Sequence, residues 1–189
     1  MMARYKLVVI GASAGGLTAL ENLLTPLPEN FAIPIILVQH ISPDSENYMV
    51  TFLNEHCNLR VKEADEKEVV LPGTVYVAPP NFHVMIEEDF SITLSVEERV
   101  NFSRPSIDVL FETAAFSIHD HVIGIVLTGG NQDGAMGLKM IKESGGLTIV
   151  QAPEEAQVDI MPSAAISVAH PDYVLPLNEI SELLIRLAE

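Results

Sequence analysis

The sequence predicts an α/β protein built on one doubly wound, mostly parallel sheet with helices on both faces. Three apolar runs, 5–10, 33–39 and 122–127, are rich in β-branched residues and show the continuous pattern of strands buried on both faces. Segments with apolar residues at helical spacing lie between them, and such alternation is typical of parallel sheets. We therefore expect a three-layer α/β/α fold that forms one domain over residues 1–189.

The first half of the chain contains two candidate helices and a group of shorter strands. Leucines recur at helical spacing over 16–24, where Pro26 ends the pattern, and residues 44–56 form the second candidate helix. Three later runs are shorter, alternate more clearly and are joined by turn residues, which predicts a short antiparallel insert. These runs are 73–80, 83–87 and 91–95.

The second half continues the alternation of helices and strands. Ser106 is expected to cap a helix, which carries one apolar face. That face consists of Ile107, Leu110, Phe111, Ala114, Ala115 and Ile118. The remaining predicted elements are a helix over 134–143, a strand at 147–150, a short helix at 161–169 and an amphipathic helix at 178–188. No internal repeat or low-complexity linker interrupts them.

Composition and charge exclude several classes of function. The formal net charge is −16, which argues against nucleic acid and against an anionic membrane surface as partners. No apolar run approaches the roughly 18–20 residues of a membrane span, so we expect no membrane insertion. The single cysteine, Cys57, cannot form an internal disulfide, and no cleavable apolar leader precedes the first strand. These features favour a cytoplasmic protein.

Polar side chains follow the three buried strands, at the points where the strands end. Ser13 lies in "GASAGG" after the first strand, His40 directly follows the second, and Asp133 lies in "TGGNQDG" after the third. The carboxyl ends of parallel strands meet at one edge of the sheet, where chemistry gathers. A serine hydroxyl needs a histidine to take its proton and an acid to orient that histidine. These loops therefore predict an activated serine.

The loop around Ser13 has two possible interpretations. A dinucleotide fingerprint wants glycine at the position that Ser13 occupies, and a phosphate loop would need a lysine that is missing here. "GASAG" instead fits a strand–turn–helix elbow that exposes a serine hydroxyl. The order serine, histidine, aspartate along the chain differs from the order in α/β-hydrolases, so an ordinary member of that fold is not expected.

Simpler structural roles remain open for the same three residues. Ser13 is also suited to cap the first helix, and His40 to stand at a strand end as a structural residue. Asp133 is suited to cap the helix that starts at Gly134, a role compatible with catalysis.

Other polar residues invite alternatives of their own. In the segment His119, Asp120, His121, neighbouring loop histidines without a further ligand nearby are a weak metal signal, and no second catalytic group accompanies Cys57. We therefore expect neither a metal ion nor a cofactor nor a thiol enzyme. Arg104 has two open roles, pairing with an acidic neighbour or facing substrate. His83 is expected to make an ordinary hydrogen bond from a strand.

Seven motifs cover nearly the whole chain, from about Lys6 to the last helix. They are "VIGASAGG", "VQHI", "VKEAD", "LPGTVYVAPPNFHV", "SRPSIDVLF", "IVLTGGNQDGAMGL" and "MPSAAI". Together, and in this order, they resemble the catalytic domain of CheB-type protein-glutamate methylesterases of bacterial chemotaxis. The resemblance implies hydrolysis of glutamate γ-methyl esters on chemoreceptor helices with release of methanol, and deamidation of receptor glutamines by some members.

The resemblance also implies roles for residues of this chain. It makes Ser13, His40 and Asp133 the catalytic triad, the same three residues that the strand ends indicate. Backbone amides near Ala14 and in the loop Gly129, Gly130, Asn131 are expected to bind the oxyanion.

Partners and domain organisation follow from the same resemblance. The expected substrate is the cytoplasmic domain of a methyl-accepting chemoreceptor. The family's N-terminal receiver domain has no counterpart in these residues, which makes a separate response regulator or the receptor methyltransferase a further candidate partner. The family's loop usually reads Gly-Met-Gly, whereas here Asn131 ends it. That departure leaves an alternative: a weakly active or inactive homologue that serves as a docking module in a signalling complex.

Overall fold

The computed structural model describes residues 4–40 and 48–189, and its centre is a parallel sheet of seven strands. The strands are β1 (Leu7–Ala12), β2 (Ile35–Gln39), β3 (Arg60–Glu63), β4 (Thr74–Val77), β7 (Val122–Val126), β8 (Leu147–Gln151) and β9 (Tyr173–Leu175). Their order across the sheet is β3–β4–β2–β1–β7–β8–β9. A separate antiparallel hairpin pairs β5 (His83–Ile86) with β6 (Ile92–Ser95).

Six α-helices cover the two faces of the sheet in the described residues. They are α1 (Gly16–Leu24), α2 (Tyr48–His56), α3 (Ile107–Ile118), α4 (Ala135–Glu143), α5 (Ile160–Ala169) and α6 (Leu177–Ala188). Helices α1, α2 and α6 share one core with side chains such as Val8 and Ile10 of β1. Helices α3, α4 and α5, together with the hairpin, share the other core with Leu7 and Val9. Successive side chains of a strand point to opposite faces, so one strand supplies both cores. The predicted three-layer fold is confirmed.

Three strands differ from the sequence prediction. The run 73–80 was expected in the antiparallel insert, but β4 pairs in parallel with both β2 and β3, so that prediction is wrong for this run. All four residues of β4 are buried, which is the pattern of a strand inside a parallel sheet. Strands β3 and β9 were not predicted at all. Both lie at sheet edges, where strands are often short, and their four and three residues are too few to show a periodic pattern.

The helices agree more closely with their predictions. Each of the helices expected over 16–24, 134–143, 161–169 and 178–188 is present within one residue of its predicted bounds. The helix expected over 44–56 occurs as α2, and residues 44–47 lie outside the described part of the chain. None of the helices in residues 4–40 and 48–189 is long and apolar enough to cross a membrane.

The order of the strands locates a crevice at the centre of the sheet. The chain runs outward from β1 through β2, and then returns to the other side of β1 to form β7. Adjacent loops diverge at such a switch point beyond the carboxyl ends of the strands, and ligands bind there in open α/β sheets. In register, Ala12 lies opposite Gln39, and Gly11 lies opposite Val126. The residues that follow β1, β2 and β7 therefore meet at this crevice.

Candidate active site

Ser13 occupies a tight elbow between β1 and α1. Its backbone N–H donates to the carbonyl oxygen of Thr128 at 2.9 Å, and its own carbonyl accepts from the N–H of Gly16 at 2.8 Å. Gly15 turns the chain with φ 80°, a left-handed conformation that favours glycine. Gly15 also occupies the cap position of α1, and no side chain caps this helix. The half-buried Ser13 side chain is therefore not the helix cap that the simpler interpretation required.

His40 lies beside Ser13 because their strands pair in register. The N–H of His40 donates to the carbonyl oxygen of Ala12 at 3.0 Å, which continues the ladder between β1 and β2. The imidazole Nε2 lies 2.8 Å from Oδ2 of Asp133. Its other nitrogen, Nδ1, lies 3.4 Å from the side-chain nitrogen of Asn131. With Nε2 donating to a carboxylate, Nδ1 holds the lone pair of the neutral ring, an assignment made from these partners.

No hydrogen bond joins the Ser13 hydroxyl to either ring nitrogen of His40, although both residues are described. The structure thus joins His40 directly to Asp133 and places Ser13 on the neighbouring strand end. Nucleophile and base are often looser in the absence of substrate.

Asp133 is a fully buried carboxylate surrounded by donors. Besides His40, it accepts from the Ser106 hydroxyl at 2.9 Å, from the Asn101 amide at 2.8 Å and from the N–H groups of Ile107 and Asp108 at 2.7 and 3.1 Å. Burial by itself would raise the pKa of this carboxyl, but the hydrogen bonds from His40, Asn101 and the backbone outweigh it and hold the pKa below its ordinary value. Asp133 therefore stays charged.

The N–H groups of Ile107 and Asp108 that donate to Asp133 belong to the first turn of α3, so Asp133 lies at the positive end of that helix. This corrects two expectations. The cap position of α4 is Gly134 with no side-chain cap, so Asp133 does not cap the helix that follows it. Ser106 occupies the cap position of α3 but makes no capping bond, and its hydroxyl donates to Asp133 instead.

A second buried carboxylate, Asp108, lies next to Asp133 and was missed by the sequence analysis. Its oxygens accept from the N–H groups of Gly134 and Gly137 and from the side chain of Asn101. Burial raises the pKa of Asp108, and the nearby charge of Asp133 adds to that increase against the effect of these donors. The Asn101 amide bridges both carboxylates, at 2.7 Å from Asp108 and 2.8 Å from Asp133. The motif "SRPSIDVLF" contains Asp108, but nothing in its spacing reveals this network.

Gln39 is another residue that the sequence analysis missed. Its side-chain amide donates to the carbonyl oxygens of both Ser13, at 2.8 Å, and His40, at 3.0 Å. A Cβ at Gly16 would overlap Oε1 of Gln39, so the glycine leaves the room that this amide occupies. One buried side chain thus fixes the backbone of both predicted catalytic residues.

Comparison with known proteins identifies the family of this chain. The chain matches a family model described as CheB methylesterase over residues 8–184. The chain belongs to the CheB methylesterase family. A relative from Leptospira interrogans (serogroup Icterohaemorrhagiae serovar copenhageni), named putative protein-glutamate methylesterase/protein-glutamine glutaminase, is 54% identical over 183 residues, which are 97% of this chain and 95% of that protein.

Two further comparisons concern proteins from other bacteria. Protein-glutamate methylesterase/protein-glutamine glutaminase 1 from Carboxydothermus hydrogenoformans is 42% identical over 182 residues, and the match covers 94% of this chain but 54% of that protein. The crystal structure of the Thermotoga maritima CheB methylesterase catalytic domain superposes with a TM-score of 0.91 at 37% identity, covering 97% of this chain and 98% of that one. The predicted family and fold are confirmed, and family membership supports an esterase.

In this CheB-family chain, the loop expected to bind an oxyanion is partly committed to other contacts. The N–H of Gly129 donates to the carbonyl oxygen of Val158 at 3.0 Å, so it is not free to bind an oxyanion here. The side-chain oxygen of Asn131 accepts from the N–H of Asp133 at 3.0 Å. A Cβ at Gly130 would meet nothing within 4 Å, and Ala14 is exposed at the elbow. Ala14, Gly130 and Asn131 therefore remain candidates for binding the oxyanion.

Two further residues from the family motifs have structural contacts. Arg104 donates through Nη1 to the carbonyl oxygens of Val96 and Glu97, so the partners of that nitrogen are backbone oxygens and not a carboxylate. His83 is buried, and its Nε2 lies 2.9 Å from the carbonyl oxygen of Glu98, the ordinary hydrogen bond that was expected. Across the described ranges no group of three or more His, Cys, Asp and Glu side chains is arranged to hold a metal ion.

Proposed function

We propose that this chain is a serine hydrolase that demethylates glutamate γ-methyl esters on the cytoplasmic helices of chemoreceptors, acting as one catalytic domain in the cytoplasm. The observation that carries the proposal is the hydrogen bond between His40 and the buried, charged Asp133, one strand from the Ser13 elbow. A histidine held by a carboxylate next to a serine is the arrangement that activates a hydroxyl for attack on an ester. The names of the relatives support the ester and the deamidation chemistry.

The reaction would proceed in two halves. Ser13 Oγ attacks the ester carbonyl while His40 takes its proton on Nδ1, the nitrogen that does not face Asp133. The tetrahedral intermediate collapses, the proton passes from His40 to the departing methoxide, and methanol leaves behind an acyl–serine ester. Water then attacks that ester with His40 again as base, which releases glutamate and restores Ser13.

Electrostatics would assist both halves. Asp133 holds the imidazole and stabilises its charged form, and the low pKa of its carboxyl keeps it ionised when His40 becomes positive. The positive N-terminal end of α1 and the backbone around Ala14 and Gly130 are suited to stabilise the oxyanion. A glutamine side chain would follow the same path with ammonia as the leaving group, which accounts for deamidation as a second activity.

Methanol release from radiomethylated chemoreceptor cytoplasmic fragments tests this proposal, with wild type beside Ser13→Ala. We expect release by wild type and a loss on the order of 10⁴-fold in the variant. Equal release by both proteins would exclude Ser13 as the nucleophile. Adding a response regulator or a receptor methyltransferase to the same assay tests whether either one acts as a partner.

The docking-module alternative is not favoured by any contact in the site. An inactive docking protein would need neither the hydrogen-bond donors that converge on Asp133 nor the Gln39 amide, which donates to the carbonyl oxygens of Ser13 and His40. A covalent serine-directed probe separates the alternatives, because only an activated Ser13 would be labelled at a rate that Asp133→Asn lowers.

A further inference from the structure

A two-residue turn beside the catalytic edge displays an aromatic side chain to solvent. Val100 and Ser103 exchange both of their backbone hydrogen bonds, at 2.9 and 3.1 Å, which closes a tight hairpin turn. Its central residues, Asn101 and Phe102, have φ 50° and 63°. Positive φ at both central positions is typical of a type I′ turn, for which the favoured pair is Asn-Gly. Here phenylalanine occupies the position at which glycine is favoured.

Phe102 is 96% exposed, so its ring contributes nothing to the core. A bulky residue in the left-handed region is a genuine outlier, and such strain persists where a function needs the conformation. Neither folding nor solubility explains the ring. The backbone of Phe102 is strained, and glycine would suit the turn better. The exposure of its ring to water is also unfavourable.

Asn101 ties this turn to the catalytic machinery. Its side-chain amide donates to Asp133 at 2.8 Å, and Asp133 lies 2.8 Å from His40. Two hydrogen bonds therefore separate the turn from the imidazole. The position of Phe102 is set by the same contacts that hold the predicted triad, so the ring is presented at a fixed place on the rim of the site.

Other large apolar side chains are exposed on segments of the same edge. Met136 lies in the first turn of α4, three residues after Asp133, and is 51% exposed. Ile160 is 53% exposed and precedes Met161, whose N–H donates to the carbonyl oxygen of Gly129 in the predicted oxyanion loop. Any ester that reaches Ser13 on a polypeptide brings its flanking residues to this rim.

We infer that Phe102 is a docking contact for the polypeptide substrate, and that it binds apolar side chains flanking the esterified glutamate. The inference rests on the proposed function and deepens it, because it names a residue that recognises the protein part of the substrate and not the ester. Exposed aromatic side chains that become buried on binding are frequent sources of affinity in interfaces. A small ester lacks flanking residues and makes no use of Phe102.

The test compares two substrates, methylated receptor fragment and p-nitrophenyl acetate, with Phe102→Gly and the matched control Phe116→Ala. Phe116 is 73% exposed on α3, outside the turn and its contacts. We expect Phe102→Gly to lower kcat/KM for the receptor fragment about tenfold, mainly through KM. Hydrolysis of p-nitrophenyl acetate should be unchanged, and Phe116→Ala should leave both activities as they are.

Misfolding would not produce a loss that is confined to the receptor fragment. Glycine is compatible with φ 63°, so Phe102→Gly should melt at the same temperature as wild type or higher. Phe102→Tyr should retain most of the affinity for the receptor fragment because it keeps the ring.

Each contrary outcome has a distinct meaning. An equal loss on both substrates would overturn the inference by assigning Phe102 to the upkeep of the triad, and no loss on either would overturn it as well. If wild type released no methanol from receptor fragments while it still cleaved p-nitrophenyl acetate, the proposed function would fail and the inference with it.

Discussion

Two concave regions of this chain differ in almost every property that matters for chemistry. One is a groove of about 860 Å³ between the β5–β6 hairpin and α3, whose walls carry the carboxylates of Glu87, Glu88, Asp89 and Glu112. The other is the edge of the sheet beyond β1, β2 and β7, where Ser13 lies on the strand end next to the His40–Asp133 pair. The proposed chemistry belongs to the second region.

The difference lies in what surrounds the charges. At the sheet edge, the buried carboxylate of Asp133 receives donors from two loops and from a helix N-terminus, and its pKa falls below the ordinary value. In the groove, partial burial raises the pKa of Glu112, and the charges of Asp108 and Asp133 raise it further. The contrast shows that converging hydrogen-bond donors, and not the volume of a cavity, distinguish a site that stabilises a buried charge.

The largest effect should come from removing the charge of Asp133. Asp133→Asn keeps the shape of the side chain but no longer holds His40 as a carboxylate does, so the imidazole loses both its orientation and the stabilisation of its charged form. We expect kcat for methanol release to fall on the order of 10⁴-fold. Steady-state assays of receptor fragments measure it.

Glu112→Gln, in the groove, is the matched control for that loss, because it also replaces a carboxylate by an amide. It should leave kcat unchanged. Comparable losses in both variants would show that the donors around Asp133 have no special part in the reaction, and the distinction between the two regions would fail.

A smaller loss should follow when Gln39 is replaced by methionine. The variant fills the same space but no longer donates to the carbonyl oxygens of Ser13 and His40, so the two loops lose a shared anchor. We expect kcat to fall about 10- to 100-fold, since small misplacements of reacting groups have effects of this size. Labelling by a serine-directed probe should slow by the same factor.

Gly16→Ala probes the same anchor from the opposite side, because its Cβ would overlap Oε1 of Gln39 and displace the amide. Gln132→Met, an exposed glutamine next to Asp133, serves as the control and should retain activity. Full activity in Gln39→Met would mean that the strand register alone positions the two residues.

The same contrast explains how far the sequence predicted the site. Ser13, His40 and Asp133 were predicted because each follows a strand, and strand ends can be recognised from apolar runs. Gln39 and Asn101 were missed because their roles depend on where an amide points in the folded chain, and no periodicity records that direction. The sheet was predicted because its central strands are also recognised from their apolar runs. Its edge strands β3 and β9 were missed, since runs of four and three residues are too short to show a recognisable period.

Replacing Asn131 should have a more modest effect on kcat, and the sign of that effect distinguishes two roles for its side chain. Its side-chain nitrogen lies 3.4 Å from Nδ1 of His40, where it competes with Ser13 for the lone pair. Asn131→Ala removes this competitor, so we expect kcat to rise about threefold, within the range of one weak hydrogen bond. A fall in kcat would instead assign the side-chain amide of Asn131 a supporting part in the reaction, such as binding the oxyanion. Single-turnover measurements of the acylation step decide between these outcomes.

The smallest effect should be confined to stability, and it returns to the groove. The pKa of Glu112 is raised above its ordinary value of 4.5 in the folded chain. The folded state therefore binds more protons than the unfolded state just above that pH, so stability declines as pH rises through this window. Glu112→Gln removes the penalty. Its melting temperature should exceed that of wild type slightly at pH 7 and equal it near pH 4, whereas its kcat at pH 7 should equal that of wild type. A variant less stable than wild type at pH 7 would show that the Glu112 carboxylate is stabilised where it lies. The groove would then stabilise charge as the sheet edge around Asp133 does, and the contrast between the two regions would disappear.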